Sequence, residues 1–344
     1  MIRSYSARID AIRGGGTVAT LQPVSVPSID ADSDATIKMS MRGTFLKPSG
    51  VNWLTDELQA VQLIDGTEYP VGIFVVGTYT ENVDNNGLAT INVEAYDRGL
   101  YLQQAKTESV VHLAAGTDYI TAIAQMLFAG GISIFRAVET DKVLATDRED
   151  WPVGTPYITI VNTLLQEINY ESVWFDEAGT AILRPIRTPS ADDIDHQYGA
   201  SDGMRVLQRE HEIETDAFNA PNVVVATCSN PDIGTPMISV ATNNNALSSL
   251  SVFRRGRRIV QAVKVSNIPD QATLDKYAQR LCDAAMMTSE VVTISTSNVP
   301  YHRIRDTVAI IQDDLTGLYQ EVGWHLALGP GEVMTHTLQR QVLI

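Results

Sequence analysis

Apolar and polar residues alternate with the two-residue period of β-strands over roughly the first hundred positions. Turn signals such as Asp65-Gly66 and the DNNG segment at 84–87 separate the alternating runs. Closely spaced strands joined by hairpins are typical of a β-barrel or a β-sandwich. The pattern therefore predicts an all-β N-terminal region.

Three later segments change to the helical period. The first lies between a Thr-Asp cap at 117–118 and a Gly-Gly stop at 130–131, and the second begins with Thr155 as N-cap and Pro156 in the first helical position. The third opens at 269–270 and carries an apolar stripe. These segments predict amphipathic helices in the middle of the chain.

Strand patterns surround these helices. Residues 172–176 and 180–185 flank a Glu-Ala-Gly turn and predict a hairpin, and the β-branched run at 222–227 predicts a strand. The Asn- and Ser-rich segment that follows, up to Leu250, predicts a long loop, and strands return after the third helix. The expected fold is mainly β with an α+β middle.

Composition supports several ordered, soluble domains. The chain has 344 residues, of which 44% are hydrophobic and 19% charged, which suits two or three domains with their own cores. It lacks a signal-peptide pattern and an apolar run of the roughly 18 residues that span a bilayer. Cys228 and Cys282 have no CxxC spacing and are expected to be buried and reduced.

Charge narrows the range of partners. The formal net charge is −16, and such an acidic chain is a poor candidate for a large DNA-binding face, which draws its affinity from many Lys and Arg contacts to phosphate. The sequence also lacks the P-loop, GxGxxG, HExxH and GxSxG motifs. We therefore expect no enzyme activity, no cofactor and no metal.

The nearest metal-like pattern is an acidic segment, with one histidine, that offers oxygen ligands to a hard cation: Asp192, Asp193, Asp195 and His196. It lacks the spacing of an EF-hand and its distal Glu. A solvated acidic loop is the favoured interpretation.

Two further patterns carry possible acid/base chemistry. His211 lies between Glu210 and Glu212, but strand alternation sends neighbours to opposite faces, which favours an ordinary polar strand. Glycosidases use a pair of carboxylates on either side of the scissile bond. Two turns offer neighbouring carboxylates: one has Asp147, Glu149 and Asp150 before Trp151, and the other has Asp313 and Asp314 before Leu315. Turn acids are common for structural reasons.

The segment 253–260, FRRGRRIV, concentrates positive charge around Gly256, which suits a tight turn. Its cationic residues are the candidate subunit or partner contacts: Arg254, Arg255, Arg257 and Arg258. Contact with DNA phosphate, salt bridges to an acidic neighbouring subunit and a plain solvated loop are all open interpretations. Salt bridges to an acidic neighbouring subunit are the favoured interpretation. Contact with DNA is less favoured because Phe253 is the only aromatic residue in the segment and one turn supplies few phosphate contacts.

The order of segments resembles the tail hub (baseplate hub) proteins of tailed bacteriophages and contractile injection machines. The resemblance is carried by DGTEYPVGIFVVG at 65–77, VEAYDRGLYL at 93–102, GTDYITAIAQMLFAGGI at 116–132, the segment 147–185, DAFNAPNVVVA at 216–226 and STSNVPYHRIRDTVAI at 295–310. These segments span most of the chain in the order of the family.

The resemblance implies a non-enzymatic protein with two tail-tube-like β-barrels and a mixed α/β domain. The first barrel would be formed by residues 1–108, the middle domain by 109–199 with 229–289, and the second barrel by 200–228 with 290–344. Three chains would form a ring around the DNA channel at the virion tail tip, after assembly in the host cytoplasm. No lysozyme-like or peptidase region is expected after Ile344.

The implied partners are further copies of the chain, a distal tail or tube protein, and a spike, fibre or tape-measure protein. DNA would pass through without specific binding, because an acidic channel repels phosphate. Two alternatives stay open: a tail-associated hydrolase of wall polymers that uses the paired carboxylates, and a receptor- or carbohydrate-binding module that uses surface aromatics such as Trp53, Trp174 and Trp324.

Overall fold

The computed structural model describes residues 4–148, 150–187, 189–199, 207–215, 220–228, 236–246, 248, 250–265, 271–287, 290–312 and 315–340. Its helices are α1 Gly99–Gln104, α2 Tyr119–Ala129, α3 Tyr157–Glu167, α4 Val252–Arg255 and α5 Gln271–Met287. None of the helices in these ranges is long and apolar enough to cross a membrane.

Strands come before, between and after the helices. The first seven are β1 Tyr5–Arg13, β2 Gly16–Leu21, β3 Ser28–Asp32, β4 Met39–Leu46, β5 Glu57–Ile64, β6 Thr67–Val83 and β7 Ala89–Asp97. The middle of the chain adds β8 Phe135–Ala137, β9 Trp174–Phe175, β10 Ala181–Leu183, β11 His196–Gly199, β12 Leu207–Thr215, β13 Val223–Cys228, β14 Met237–Thr242 and β15 Val260–Val265. The last four are β16 Glu290–Ser297, β17 Thr307–Ile311, β18 Gly317–Ala327 and β19 Val333–Arg340. The expected order of strands, helical middle and strands is confirmed.

One 13-stranded sheet joins the two ends of the chain. Its order is β12-β16-β19-β18-β3-β4-β7-β6-β5-β1-β2, with β17 paired to β18 and β11 paired in parallel to β17. The antiparallel pair of β18 and β3, in which Trp324 lies opposite Ala31, connects the C-terminal strands to the N-terminal ones. The N-terminal and C-terminal strands therefore form one continuous sheet in the described chain.

The N-terminal strands curl back towards their own start. Beyond β2, the Val24 amide donates to the Thr44 carbonyl over 2.8 Å, and the Leu46 amide donates to the Gln22 carbonyl over 2.9 Å. These bonds bring the chain after β2 onto β4, although no complete ladder closes the sheet. The enclosed core includes the fully buried Phe45 and Phe74. Burial of each such side chain contributes about 2 kcal/mol.

A second core lies under α1, α2, α3 and the small sheet β8-β10-β9. The Asp118 side chain caps α2 by accepting from the Thr121 amide over 2.7 Å, as the sequence predicts. The second helix begins one residue later than expected, because Pro156 is in extended conformation at the N-cap position and the Thr155 hydroxyl donates to the Pro152 carbonyl. The hairpin of β9 and β10 is confirmed.

A separate small sheet, in the order β14-β13-β15, packs against α5. Cys228 and Cys282 are buried in this core as thiols that are not joined in a disulfide, in agreement with the prediction. The expected long loop before Leu250 contains strand β14, so that expectation is wrong for 237–242. Strand β14 is held by its antiparallel pairing with β13 over all six of its residues, and this long-range contact is not visible in the polar sequence around it. The expected opening of the third helix, at 269–270, lies outside the described residues.

Candidate functional site: an arginine turn and a buried histidine cluster

The arginine segment forms one turn of helix and not a hairpin. The Ser251 hydroxyl accepts from the Arg254 amide over 3.1 Å at the start of α4, and Gly256 ends it with φ 63°. That left-handed conformation costs little only for glycine, so Gly256 sets where the following arginines emerge. The turn is exposed, and Phe253 on it is 74% exposed.

Two arginines of this turn, Arg254 and Arg255, donate to backbone carbonyls. Arg254 Nε donates to the Ala246 carbonyl over 2.7 Å, and Arg255 Nη1 donates to the Ala220 carbonyl over 2.9 Å. Arg258 Nη2 has a long contact of 3.5 Å to the Thr242 hydroxyl. Within the described chain, Arg254, Arg257 and Arg258 make no ion pair with a carboxylate. Three cationic side chains of the turn are therefore without a carboxylate partner among the described residues.

A buried cluster that the sequence analysis missed lies inside the C-terminal strands. The Glu321 carboxylate on β18 bridges two imidazoles, with Oε2 2.6 Å from His302 Nδ1 and Oε1 2.5 Å from His336 Nδ1. The far nitrogens have partners too: His302 Nε2 lies 2.6 Å from the Tyr198 hydroxyl, and His336 Nε2 lies 2.8 Å from Thr296 Oγ1. We call His302, Glu321 and His336 the His-Glu-His cluster.

Burial and mutual attraction set the ionisation of this cluster. Burial by itself raises the pKa of Glu321, but the two neighbouring histidines outweigh it and bring the pKa to about 2. Burial lowers the pKa of His302 to about 4, against the opposing attraction of Glu321. At neutral pH, Glu321 is therefore ionised and His302 is neutral.

The loop that carries His302 connects three parts of the fold. Residues on either side of His302, Tyr301 and Arg305, have positive φ angles of 69° and 68°. Arg303 pairs with Glu177 in the hairpin of the second core over 2.8 Å, and Ile304 packs into the N-terminal core. A cavity of about 40 Å³ opens beside this loop and is lined by Trp174, His302, Trp324 and Met334, among others.

The acidic segment expected to be a solvated loop is exposed and held by an arginine. Arg187 pairs with Asp193 and Asp195, each over 2.9 Å, and Asp195 Oδ2 also accepts from the Thr307 amide. His196 is turned away from these acids: it is buried, and its Nε2 lies 3.2 Å from Asp306. The four residues do not converge on one point.

The other chemical candidates also remain apart. Asp147 accepts from the Ala115 amide over 2.8 Å, and Asp150 lies 2.7 Å from His112, so both have local partners. His211 Nδ1 contacts the Arg209 carbonyl on β12, whereas Glu210 and Glu212 are exposed. Glu149, Asp313 and Asp314 lie outside the described residues.

The tryptophans expected at a binding surface are mostly internal. Trp174 and Trp324 are each 5% exposed and belong to the core. Trp53 is half-buried and stacks on Tyr79, with ring centroids 6.1 Å apart. The three side chains therefore do not form an aromatic surface patch.

The similarity of this chain to known proteins lies in its fold. No family model and no curated protein matches the sequence. The structure is similar to the tail protein from Neisseria meningitidis MC58, with a TM-score of 0.73, 14% identity and coverage of 98% of this chain and 97% of that one. It is also similar to the 43 kDa tail protein of prophage MuSo2 from Shewanella oneidensis, with a TM-score of 0.67, 12% identity and 98% coverage of both chains.

A third similar structure comes from a secretion system. The E. coli c3393 protein, a component of the type VI secretion system with structural similarity to the T4 bacteriophage tail proteins gp27 and gp5, matches with a TM-score of 0.51 and 9% identity. The match covers 97% of this chain and 77% of that one. This chain therefore has the fold of these tail proteins, which confirms, at the level of the fold, the resemblance carried by its sequence.

Proposed function

We propose that this protein is a structural hub of a phage tail tip or baseplate. The observation that carries the proposal is the similarity of nearly the whole chain, 98% of it, to a tail protein at a TM-score of 0.73. Similarity over the full length of both chains means that the architecture of a tail protein is present, and not one shared module. The function of such a protein resides in its symmetry and interfaces.

In this proposal three copies form a ring around the DNA channel. The ring joins a tube or distal tail protein on one side to a spike, fibre or tape-measure protein on the other. It is located at the virion tail tip and assembles in the cytoplasm of the bacterial host. Each chain contributes two tube-like β-barrels, so a trimer has pseudo-sixfold symmetry.

The curled N-terminal strands support the first barrel. The bonds of residues 22–24 to β4 bring the two ends of this part of the sheet together. The second barrel is proposed for the strands β11, β12 and β16 to β19, which enclose their own core around Tyr198, Tyr319 and Leu338. The pair of β18 and β3 joins the two barrels within one chain.

The proposed domain boundaries are 1–108, 109–199 with 229–289, and 200–228 with 290–344, and one of them needs adjustment. Strand β13 pairs with β14 and β15 and packs on α5. We therefore assign Val223–Cys228 to the middle of the chain. The middle then has two cores, one under α2 and α3 and one under α5.

The arginine turn is proposed as a contact with the acidic surface of a neighbouring subunit. Three of its guanidinium groups have no carboxylate partner within the described chain, while the chain as a whole has a net charge of −16. Opposite charges across an interface select the partner and its orientation. The remaining acidic surface suits a channel, because it repels the DNA backbone.

The mass of the assembly tests the proposal. Native mass measurement of the purified chain over a range of concentrations is expected to show a species of three times 37.6 kDa. A mass of one chain at every concentration, with and without tail proteins from the same particle, counts against a self-assembling hub. No described contact favours the hydrolase or the carbohydrate-binding alternative over this function.

A further inference from the structure

The His-Glu-His cluster has a donor set suited to a metal ion. The ligating atoms, two imidazole nitrogens and a carboxylate oxygen, all lie within 4.8 Å of one another. His302 and His336 are 7% and 1% exposed, and Glu321 is fully buried. Two histidines and one glutamate are a set that holds Zn²⁺ and related first-row ions in proteins.

Each histidine is held by a hydrogen bond at its outer nitrogen, Nε2, while its Nδ1 faces Glu321. The Thr296 hydroxyl donates to the Ser297 carbonyl over 2.9 Å, so its oxygen accepts from His336 Nε2 at 2.8 Å. The 2.5 Å contact between His336 Nδ1 and Glu321 is itself a hydrogen bond, so a metal ion that binds Nδ1 must displace the proton between the two atoms. The Tyr198 hydroxyl, 2.6 Å from His302 Nε2, holds the other ring by its outer nitrogen in the same way. Outer hydrogen bonds of this kind are typical of metal-binding histidines.

The buried negative charge of Glu321 also favours a bound cation. Glu321 has a side-chain exposure of 0%, and its ion-pair partners in the described chain are the two histidines. An isolated carboxylate in such a place costs several kcal/mol. A divalent cation would take the place of the protons that lie between the two Nδ1 atoms and the carboxylate, and these protons would pass to solvent or to an outer ring nitrogen on binding.

We propose that His302, Glu321 and His336 bind one divalent transition-metal ion, best matched by Zn²⁺, through the two Nδ1 atoms and the carboxylate. Ligand atoms around tetrahedral Zn²⁺ are about 3.3 Å apart for bonds of about 2.0 Å, so binding separates the present 2.5 and 2.6 Å contacts by less than about 1 Å.

The position of the ligands makes this a structural site. Glu321 and His336 lie on neighbouring strands, β18 and β19, whereas His302 lies in the loop 298–306. That loop holds non-glycine residues in left-handed conformation at Tyr301 and Arg305, each of which costs about 1 kcal/mol or more. The ion ties the loop to the sheet and so fixes Arg303 and Ile304 against the other two cores. This inference stands independently of the hub function.

Metal binding by the purified full-length chain tests it. After treatment with a chelator, titration with Zn²⁺ alone is expected to show one equivalent bound per chain and a rise in the thermal midpoint of unfolding. Co²⁺ in place of Zn²⁺ is expected to give the visible absorption of a tetrahedral site. No saturable binding, with a midpoint that neither Zn²⁺ nor chelator changes, overturns the proposal.

Variants locate the ion. His336→Gln is expected to weaken Zn²⁺ binding by at least about 100-fold, and Thr296→Val by about 10- to 100-fold, since it removes only the outer hydrogen bond. His325→Gln is the matched control, because His325 is also on β18 but pairs with the exposed Asp30; it leaves the affinity unchanged. Binding that survives His336→Gln and is lost in His325→Gln overturns the assignment. If His336→Gln does not fold, X-ray absorption of the Zn²⁺-loaded natural chain decides: two imidazoles and one oxygen ligand support the site, and one imidazole or none overturns it.

Discussion

Gly323 on β18 lies against the carbonyl oxygen of Ala31 on β3, where the C-terminal strands meet the N-terminal ones. A Cβ atom at position 323 would lie 2.8 Å from that oxygen. Both groups are backbone in a paired ladder, so neither can turn aside. The close approach of the two strands therefore depends on a residue without a side chain.

Gly323→Ala is expected to lower the free energy of unfolding by about 1–3 kcal/mol, because the methyl group forces β18 and β3 apart. Gly16→Ala is the control: the nearest atom to a Cβ there is the Arg13 carbonyl oxygen at 3.7 Å, an ordinary contact. Urea unfolding of both variants measures the difference. Equal stabilities for the two would show that the strand junction is not tight.

Arg98 is expected to stabilise the contact between the N-terminal strands and the helical middle. It forms two bonds of 2.7 Å with Glu57 on β5 and donates to the Gly179 carbonyl over 3.0 Å. Arg98→Met keeps the aliphatic part of the side chain but leaves the largely buried carboxylate of Glu57 without its partner. We therefore expect the free energy of unfolding to fall by about 2 kcal/mol, measured by urea unfolding.

The matched control for this pair is Arg42→Met. Arg42 also bonds to one glutamate, Glu94, but its side chain is 62% exposed against 21% for Arg98. Exposed pairs are worth about 0–1 kcal/mol. If Arg42→Met lowered the free energy of unfolding as much as Arg98→Met, burial would not explain the contribution of Arg98.

Asp97 gives the protein a specific pH dependence. Burial raises its pKa to about 6, against the opposing hydrogen bonds from the Gly99 and Met39 amides. The folded state therefore holds the proton more tightly than the unfolded chain, whose Asp has a pKa of about 4. The protonated Asp97 therefore stabilises the fold fully below pH about 4, and this contribution is lost as the pH rises through about 6. It amounts to at most about 3 kcal/mol of the free energy of unfolding.

Comparison with Asp97→Asn isolates this contribution, since the variant has no proton to lose at that position. The stability of the natural chain minus that of Asp97→Asn is expected to fall as the pH rises from 4 to 7. Chemical unfolding at several pH values measures it. A difference that grows over this range would mean that the pKa of Asp97 is lowered in the fold.

Charge reversal in the arginine turn is expected to weaken assembly. The triple change Arg254→Glu, Arg257→Glu and Arg258→Glu places acid against an acidic neighbour, and the dissociation constant of the oligomer is expected to rise by about 10-fold or more. Raised salt is expected to weaken the natural assembly, because exposed charges are screened. Sedimentation at several concentrations measures both effects.

The control for charge reversal makes the same change in net charge elsewhere. Lys106, Arg136 and Lys276 are exposed and lie outside the turn, so their replacement by Glu is expected to leave the assembly intact. If this control dissociates the oligomer as strongly as the triple arginine variant, net charge and not the turn is responsible.

Local features of this fold follow from the sequence, whereas long-range contacts do not. The Asp118 cap and the Gly130 end of α2 are encoded within a few residues, and so is the hairpin around Gly179. Strand β14 was missed because Ser and Asn dominate its surroundings, and only pairing with β13 stabilises it. The pairing of β18 with β3 joins residues almost three hundred positions apart, and no local pattern specifies it.

The His-Glu-His cluster shows the same limit for a site. Its members are separated by 19 and 15 positions, too far for a motif of fixed spacing. Glu321 lies opposite Leu338 in the ladder of β18 and β19, and Leu338 is two residues from His336, so the Glu321 and His336 side chains lie on the same face of the sheet. The available signal was the presence of Glu321 and His336 in neighbouring strand patterns, and it does not say which residues meet.

Images of the purified full-length chain under the electron microscope test the central claim most directly. The hub account predicts rings with threefold symmetry and an open centre, either for the chain alone or with the tail proteins that adjoin it. Compact particles without rotational symmetry under both conditions would contradict it.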